Sequence, residues 1–255
     1  MSKITEITQG TSLNATDELV VIQGGSGKRI PVQKAIDLDS AAALAAAKAS
    51  INPTVLDGIF IMYHRKSDNF PLLSEVAAWK SLENGGEIAD GVMVVQGANH
   101  LVISPTETSL FWSSQAILVG TAVTDRIVAM GNWEGKTKTA AICNNATLKT
   151  DGAGYAPGWC NAYSRTNANG FGLTAGKWFM PASGQGMFIK ANKLKINMAL
   201  AQINGATLLT DNAYWLADEH SAAYAWTLIL GNGYLATAAK VSSQLRVRAV
   251  SLFIS

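Results

Sequence analysis

Between Ala223 and Leu230 the chain alternates in character at every step. Ala223, Ala225, Thr227 and Ile229 take one set of positions, and Tyr224, Trp226, Leu228 and Leu230 take the other. A period of two puts successive side chains on opposite faces of a β-strand. Gly231-Asn232-Gly233 then marks a turn. Gln244 to Phe253 forms a second alternating run, with Arg246 and Arg248 on one face and Val247 and Ala249 on the other. A strand, a turn and a returning strand are expected, so the C-terminal part of the fold must be built on a sheet.

Earlier runs extend that sheet reading. Gly58-Ile59-Phe60-Ile61-Met62-Tyr63, Gly91-Val92-Met93-Val94-Val95 and His100-Leu101-Val102-Ile103 are β-prone. The clearest helix is predicted from Met187 to Ile203. There Met187, Ala191, Leu194, Met198 and Ala201 recur at 4-3-4-3 spacing on an apolar face, with Lys190, Lys193 and Asn197 on the other and Asn204-Gly205 at the end. A shorter helix is predicted over Thr139 to Leu148. No period of about 20 to 50 residues repeats, so neither a solenoid nor a propeller is expected.

The first 38 residues read as a strand-rich module. Leu19-Val20-Val21-Ile22 leads into the turn Gln23-Gly24-Gly25-Ser26-Gly27, and Lys28-Arg29-Ile30-Pro31-Val32 returns as its partner. A phosphate-binding loop needs Gly six positions before its Lys and Ser or Thr after it. Here those positions hold Ile22 and Arg29, which excludes the motif. From Asp39 to Ser50 the chain is nearly pure alanine, with Asp39-Ser40 as a cap and Asn52-Pro53 as a stop, so a helix is predicted. With little apolar bulk it cannot stand alone. It packs against copies of itself or the next domain, or serves as a semi-rigid spacer.

Charge narrows the partners. Lys+Arg 20 and Asp+Glu 18 leave a net charge of +2 in 255 residues, too thin a basic stripe for nucleic acid. The mean hydropathy of +0.15 raises the membrane question. The longest uncharged stretches, 108–124 and 220–239, are broken by Ser113-Ser114-Gln115 and by Gly231-Asn232-Gly233, so no membrane insertion is expected. Met1 to Glu6 has no apolar core after Lys3, and no secretory signal is expected.

Chemistry is sparse. His64, His100 and His220 stand far apart with no ligand spacing, so no metal site is expected. No Ser occupies a Gly-x-Ser-x-Gly elbow, and no catalytic residue can be named, although carboxylates paired only in space stay open. Cys143 and Cys160 could pair or stay free, and read as buried small apolar residues. Trp159, Trp178, Trp215 and Trp226 are expected in the core.

Gly176-Lys177-Trp178-Phe179-Met180-Pro181-Ala182 is followed in order by Asn192-Lys193, Ile196-Asn197, Gly205-Ala206, Tyr214-Trp215, Glu219, Ala225-Trp226, Gly233, Lys240 and Val247-Arg248-Ala249-Val250. This series resembles the signature of C-type-lectin-like domains in the formylglycine-generating-enzyme branch. Gly91-Val92, Leu101-Val102-Ile103-Ser104-Pro105 and Trp112-Ser113 look like the earlier strands of the same domain. The resemblance implies an α+β fold: a C-type-lectin-like domain over 57–255, preceded by the β module (1–38) and the Ala-rich helix with its linker (39–56). The enzymes of that branch use cysteines near the C-terminal end of the domain for copper and oxygen chemistry, and here no Cys follows Cys160. The calcium-dependent sugar lectins carry Glu-Pro-Asn or Gln-Pro-Asp with Trp-Asn-Asp, motifs absent here. Neither activity is expected, and no cofactor.

The chain is most similar in these respects to the variable proteins of diversity-generating retroelements, of the phage tail-fibre tropism-determinant type. In that family asparagine codons are mutagenised at adenines, which never yields Glu, Gln, Lys, Met or Trp. From Tyr214 onward those types occur only at Trp215, Glu219, Trp226, Lys240 and Gln244, and all but Gln244 coincide with the series above. The family's Ser-Ser-Thr-Glu-like run stands here as Leu216-Ala217-Asp218-Glu219. The implied ligand-facing candidates are Leu216, Asp218, His220, Tyr224, Thr227, Ile229, Tyr234, Thr237 and Leu245. Thr227 and Ile229 are expected to face outward while Trp226 and Leu228 face inward. Tyr224 and Tyr234 are the expected hot spots, because Tyr offers rigid contact area at low entropy cost. Implied partners are a host cell-surface ligand, protein or glycan, the other tail proteins, and further copies in a homotrimer. The implied location is a virion tail fibre or, alternatively, a bacterial cell surface. A structural subunit that binds nothing, or an enzyme with an unrecognised site, are the competing classes.

Overall fold

A computed structural model describes residues 57–252 in full and, nearer the N-terminus, the backbone of β1 (Glu18–Gln23) and β2 (Ser26–Pro31). The predicted Ala-rich helix lies outside the described residues. The chain divides into two compact units, Met1–Thr54 and Val55–Ser255. In the first, β1 and β2 pair antiparallel from Glu18↔Pro31 to Gln23↔Ser26.

The second unit is α+β. Its first sheet joins β3 (Gly58–His64), β4 (Pro71–Glu75), β5 (Ala89–Gln96), β6 (Asn99–Ile103), β10 (Trp178–Phe179) and β15 (Val250–Ser251) in the order β10-β15-β6-β5-β3-β4. The second joins β7 (Thr108–Leu110), β11 (Ala213–Glu219), β12 (Tyr224–Ile229), β13 (Tyr234–Ala239) and β14 (Leu245–Val247) in the order β13-β12-β11-β14-β7. Neighbours in both sheets run antiparallel except β11 and β14. A short hairpin, β8 (Arg165–Thr166) with β9 (Gly172–Leu173), stands apart. The helices are α1 (Trp79–Asn84), α2 (Arg126–Met130), α3 (Gly135–Asn144), α4 (Ala156–Ala162) and α5 (Ser183–Leu200).

Two apolar clusters share these sheets. One gathers Ile61, Val92, Val94, Leu101 and Ile103 with Tyr214, Leu216, Trp226 and Leu228, under Phe188, Ile189 and Ile196 of α5. The other gathers Met62, Met93 and Val102 with Trp215, Ala217 and Ala225, beside Trp112, Ile142, Cys160 and Trp178. Alternate residues of β5, β11 and β12 therefore enter different cores, and both faces of these strands are covered except at their ends, where Gln96 and Tyr224 are exposed. Strands covered on both sides read as near-continuous apolar runs, as Val92 to Val95 does. Tryptophans brace the arrangement as well as filling it. The indole N–H of Trp112 donates to Leu216 O (3.0 Å), that of Trp215 to Leu110 O (2.9 Å) and that of Trp178 to Leu173 O (3.0 Å). Trp159 is only half-buried, tilted against Tyr163. Cys143 is half-buried and Cys160 buried; both are free, and burial pushes both thiols up.

Three sequence expectations change. The strand returning from the Gly231-Asn232-Gly233 turn is β13, whose Tyr-Leu-Ala-Thr-Ala-Ala run has no strong alternation; the run from Gln244 splits into β14 and β15, in different sheets. Arg246 and Arg248 reach one carboxylate, Glu107, at 2.8 and 2.6 Å, in keeping with the shared face expected of them. Helix α5 starts earlier than expected and is rolled the other way: Leu194 and Met198 are 77% and 63% exposed, while Ile189, Ile196, Ala199 and Leu200 are buried. Both stripes are apolar, and the one carrying the bulkier branched side chains, with Phe188 beside it, wins the core. Finally, α3 begins and ends about one turn before the predicted 139–148 helix.

Candidate functional site

The sheet is pinned to the loop before α2 by buried charge. Lys240 and Glu219 pair at 2.5 Å with both side chains out of solvent. Lys240 also donates to Ile117 O (2.7 Å) and lies 4.5 Å from the centre of the Trp112 ring. The Glu219 carboxylate accepts the N–H groups of Val119 (3.1 Å) and Gly120 (2.8 Å), and its main-chain carbonyl accepts Val123 N–H (2.8 Å). Burial lowers the Lys240 pKa from the ordinary lysine value, with Glu219 opposing. Trp226 adds a further bond, from its indole N–H to Val123 O (2.7 Å).

That tethered segment leads into α2. Asp125 caps it, its Oδ1 accepting Ile127 N–H (2.7 Å) and Val128 N–H (2.9 Å). The cap fixes the turn that holds Ile127 and Val128 out in water, 79% and 63% exposed. Arg126 donates to the Tyr234 hydroxyl (2.9 Å) and lies 4.5 Å from the centre of its ring. Between this segment and β12–β13 opens a groove of about 660 Å³, lined by Thr124, Asp125, Arg126, Ile127, His220, Trp226, Tyr234, Ala236 and Thr237. His220 stands edge-on to Trp226 at 5.4 Å, and its Nδ1 is buried without a hydrogen-bond partner.

The nine residues named from the sequence divide three ways. His220, Tyr234 and Thr237 line the groove, and Tyr224, 46% exposed, lies on the adjacent strand outside its lining. Ile229 pairs with Tyr234 but is half-buried and outside the lining. Leu216, Asp218 and Thr227 require correction as displayed positions. Leu216 lies in the first core. Asp218 is wholly buried and works on the fold: its Oδ2 accepts the N–H and Oγ–H of Ser183 (both 2.6 Å) at the start of α5, and its Oδ1 takes Lys138 Nζ (2.5 Å). Thr227, 2% exposed, is paired across from Trp215 between two covered faces, the reverse of its expected outward orientation. Leu245 is half-buried on β14 against the second core, with β11 and β12 between its strand and β13.

Sequence reasoning missed Arg126, Ile127 and Val128. An Asp before an apolar run is a helix-start signal, but nothing local says that such a helix will present its apolar residues outward.

Elsewhere, His64 Nδ1 and Asp90 Oδ2 lie 2.5 Å apart, and Asp90 Oδ1 accepts Leu173 N–H (3.1 Å), stapling β9 to β5. Burial raises the Asp90 pKa against the lowering effect of His64. Among the described residues no hydroxyl or thiol is bonded to His64, no group of three His, Cys, Asp or Glu side chains could hold a metal ion, and no helix is long and apolar enough to cross a membrane.

No protein-family model and no curated protein matches the chain. Among solved structures it is similar to a fimbrial protein from Bacteroides ovatus ATCC 8483, at 12% identity and a TM-score of 0.41, over 79% of this chain and 45% of that one. The chain thus spans less than half of that protein's length.

Proposed function

We propose that this chain is a receptor-binding protein of the phage tail-fibre-tip kind, a C-type-lectin-like variable protein whose C-terminal face docks onto a ligand at the host surface. The observation that carries the reading is the groove itself. His220, Tyr234 and Thr237 converge there with Arg126 and Ile127, on a sheet held by two cores and a buried ion pair. Such a platform tolerates change in its exposed residues, because surface substitutions away from caps and cores cost little. Several copies on one fibre would add avidity to weak single sites.

Sibling sequences test the reading. Retroelement diversification would concentrate variation at His220, Tyr224, Tyr234 and Thr237 and spare Leu216, Asp218 and Thr227, beside a near-copy template and a reverse transcriptase gene. Uniform drift over the domain would instead fit a structural subunit, and an invariant cluster of acidic residues and histidines would fit an enzyme. On the protein itself, Tyr234→Ala should weaken adsorption to host cells while leaving the melting temperature unchanged.

A further inference from the structure

A second cavity lies between α3, α4 and the turns that join them. It holds about 190 Å³ and shares no residue with the groove. A close backbone approach shapes it. A Cβ at Gly158 of α4 would fall 1.8 Å from Gly152 O, so only glycine lets the 152–154 turn close down on that helix. Gly152 itself takes φ +53, a conformation that favours glycine. The turn thereby brings Gly152 and Ala153 to the cavity wall as its lip.

Floor and mouth differ in chemistry. Trp112, Ile142, Leu148 and Pro157 are buried and apolar, and they make the floor. Lys149 is exposed and Asp151, Tyr155 and Asn161 are half-buried, so the polar side chains stand at the mouth. Among the described residues the Lys149 ammonium, the Tyr155 hydroxyl and the Asn161 side-chain amide take no hydrogen bond. Of the Asp151 carboxylate only Oδ2 is held, by Ser114 N–H (2.9 Å).

Size and charge together narrow the occupant. A cavity of about 150 Å³ holds one benzene, so this one takes a molecule whose apolar part is of leucine to phenylalanine size. One cation and one anion, two residues apart in the chain, give a mouth that favours a ligand carrying both signs. A sugar would press hydroxyls against a floor that offers them no partner. A simple carboxylic acid would set its charge beside Asp151, and a simple amine would set its own beside Lys149. A zwitterionic head on an apolar tail meets none of these penalties.

We infer that this cavity binds a free α-amino acid with an aliphatic or aromatic side chain, the side chain on the buried floor, the carboxylate at Lys149 and the ammonium at Asp151. Tyr155 and Asn161 supply further hydrogen bonds to the head group. The site is separate from the groove and does not depend on what the groove binds.

The test uses the full chain with free leucine, methionine, phenylalanine and tryptophan as probes, and glucose, hexanoate and hexylamine as rivals. Calorimetry should give one site for at least one of the amino acids and none for the rivals. Acetylating the amine of the bound amino acid, or converting its carboxylate to an amide, should each weaken binding about tenfold, the loss of one charge-assisted bond. Cys143 stands half-buried in the cavity wall while Cys160 is buried, so bound amino acid should slow N-ethylmaleimide labelling of Cys143. Lys149→Met and Asp151→Asn should each lower affinity about tenfold, and Leu194→Ser on α5 should leave it unchanged. Should a variant fail to fold or Cys143 resist labelling, the ligand series on the wild-type chain decides alone. Equal binding of the acetylated or amidated ligand, or binding of a rival without any amino acid, overturns the inference. So does the absence of binding by all four amino acids. Each of these outcomes leaves the receptor-binding reading standing, because the groove takes no part in them.

Discussion

Thr227 and Thr237 are the same residue type, on adjacent strands of one sheet, and they meet opposite fates. Thr227 is 2% exposed on a strand flanked on both sides by other strands and covered on both faces, whereas Thr237 stands exposed on the edge. Alternation along a strand gives a sheet two faces but says nothing about which is wet. That depends on what the rest of the chain lays over each face, and here both central faces are covered. Display belongs to the edge strand and to the groove beside it.

The sharpest way to break this contrast is at the buried charge that supports both regions. Lys240→Ala leaves Glu219 buried without its cation and should cost about 3–5 kcal/mol in urea unfolding. A much smaller loss would mean that the loop over the sheet relaxes and that the platform is not rigid. Next in size, Leu216→Ala and Ile196→Ala should each destabilise by about 2–5 kcal/mol, as truncations in a close-packed core do. Leu194→Ala, two residues before Ile196 on the same helix, should change stability by less than about 0.5 kcal/mol. Equal effects at 194 and 196 would restore the face of α5 that its 4-3-4-3 spacing suggested. Between the two threonines the expected difference is smaller: Thr227→Ala should cost about 1 kcal/mol and Thr237→Ala within about 0.5.

The smallest effect is a pH slope. Because burial holds Lys240 below the ordinary lysine pKa, the unfolded chain binds more protons than the folded one between the two values. Stability from this group should therefore rise with pH across that window, below the free-lysine value of about 10.4, and Lys240→Met should flatten that rise. A wild-type slope of the opposite sign would show Glu219 outweighing the desolvation.

Much of this architecture is legible from local pattern. The runs beginning at Gly58, Gly91 and His100 become strands β3, β5 and β6, and the Leu19–Ile22 run becomes β1, because compact β-branched stretches between turn residues have few other uses. Strand β13 was missed for the converse reason: alanine is a poor strand former, and only its ladder with β12 makes it one. The partition of α5 was missed because two apolar stripes compete on one helix and the winner is decided by what packs against it. At the site, Tyr234 and Thr237 reach the groove from the edge strand β13, His220 from the residue just after β11, and Tyr224 reaches the surface at the start of β12, placements that sequence alone does not reveal. Arg126 and Ile127 come from about a hundred residues earlier, and no spacing rule connects such distant segments.

Asp218, Glu219 and His220 are consecutive, yet each serves a different neighbour: the start of α5, the clamped loop and the groove floor. The register of β11 against β12 also shifts between Trp215 and Glu219. One residue gained or lost within this trio would move all three side chains to the wrong neighbour at once. Homologous chains should accordingly replace His220 freely while never changing length between Trp215 and Trp226, so gaps in an alignment would mark this segment as fixed in count even where it is free in kind.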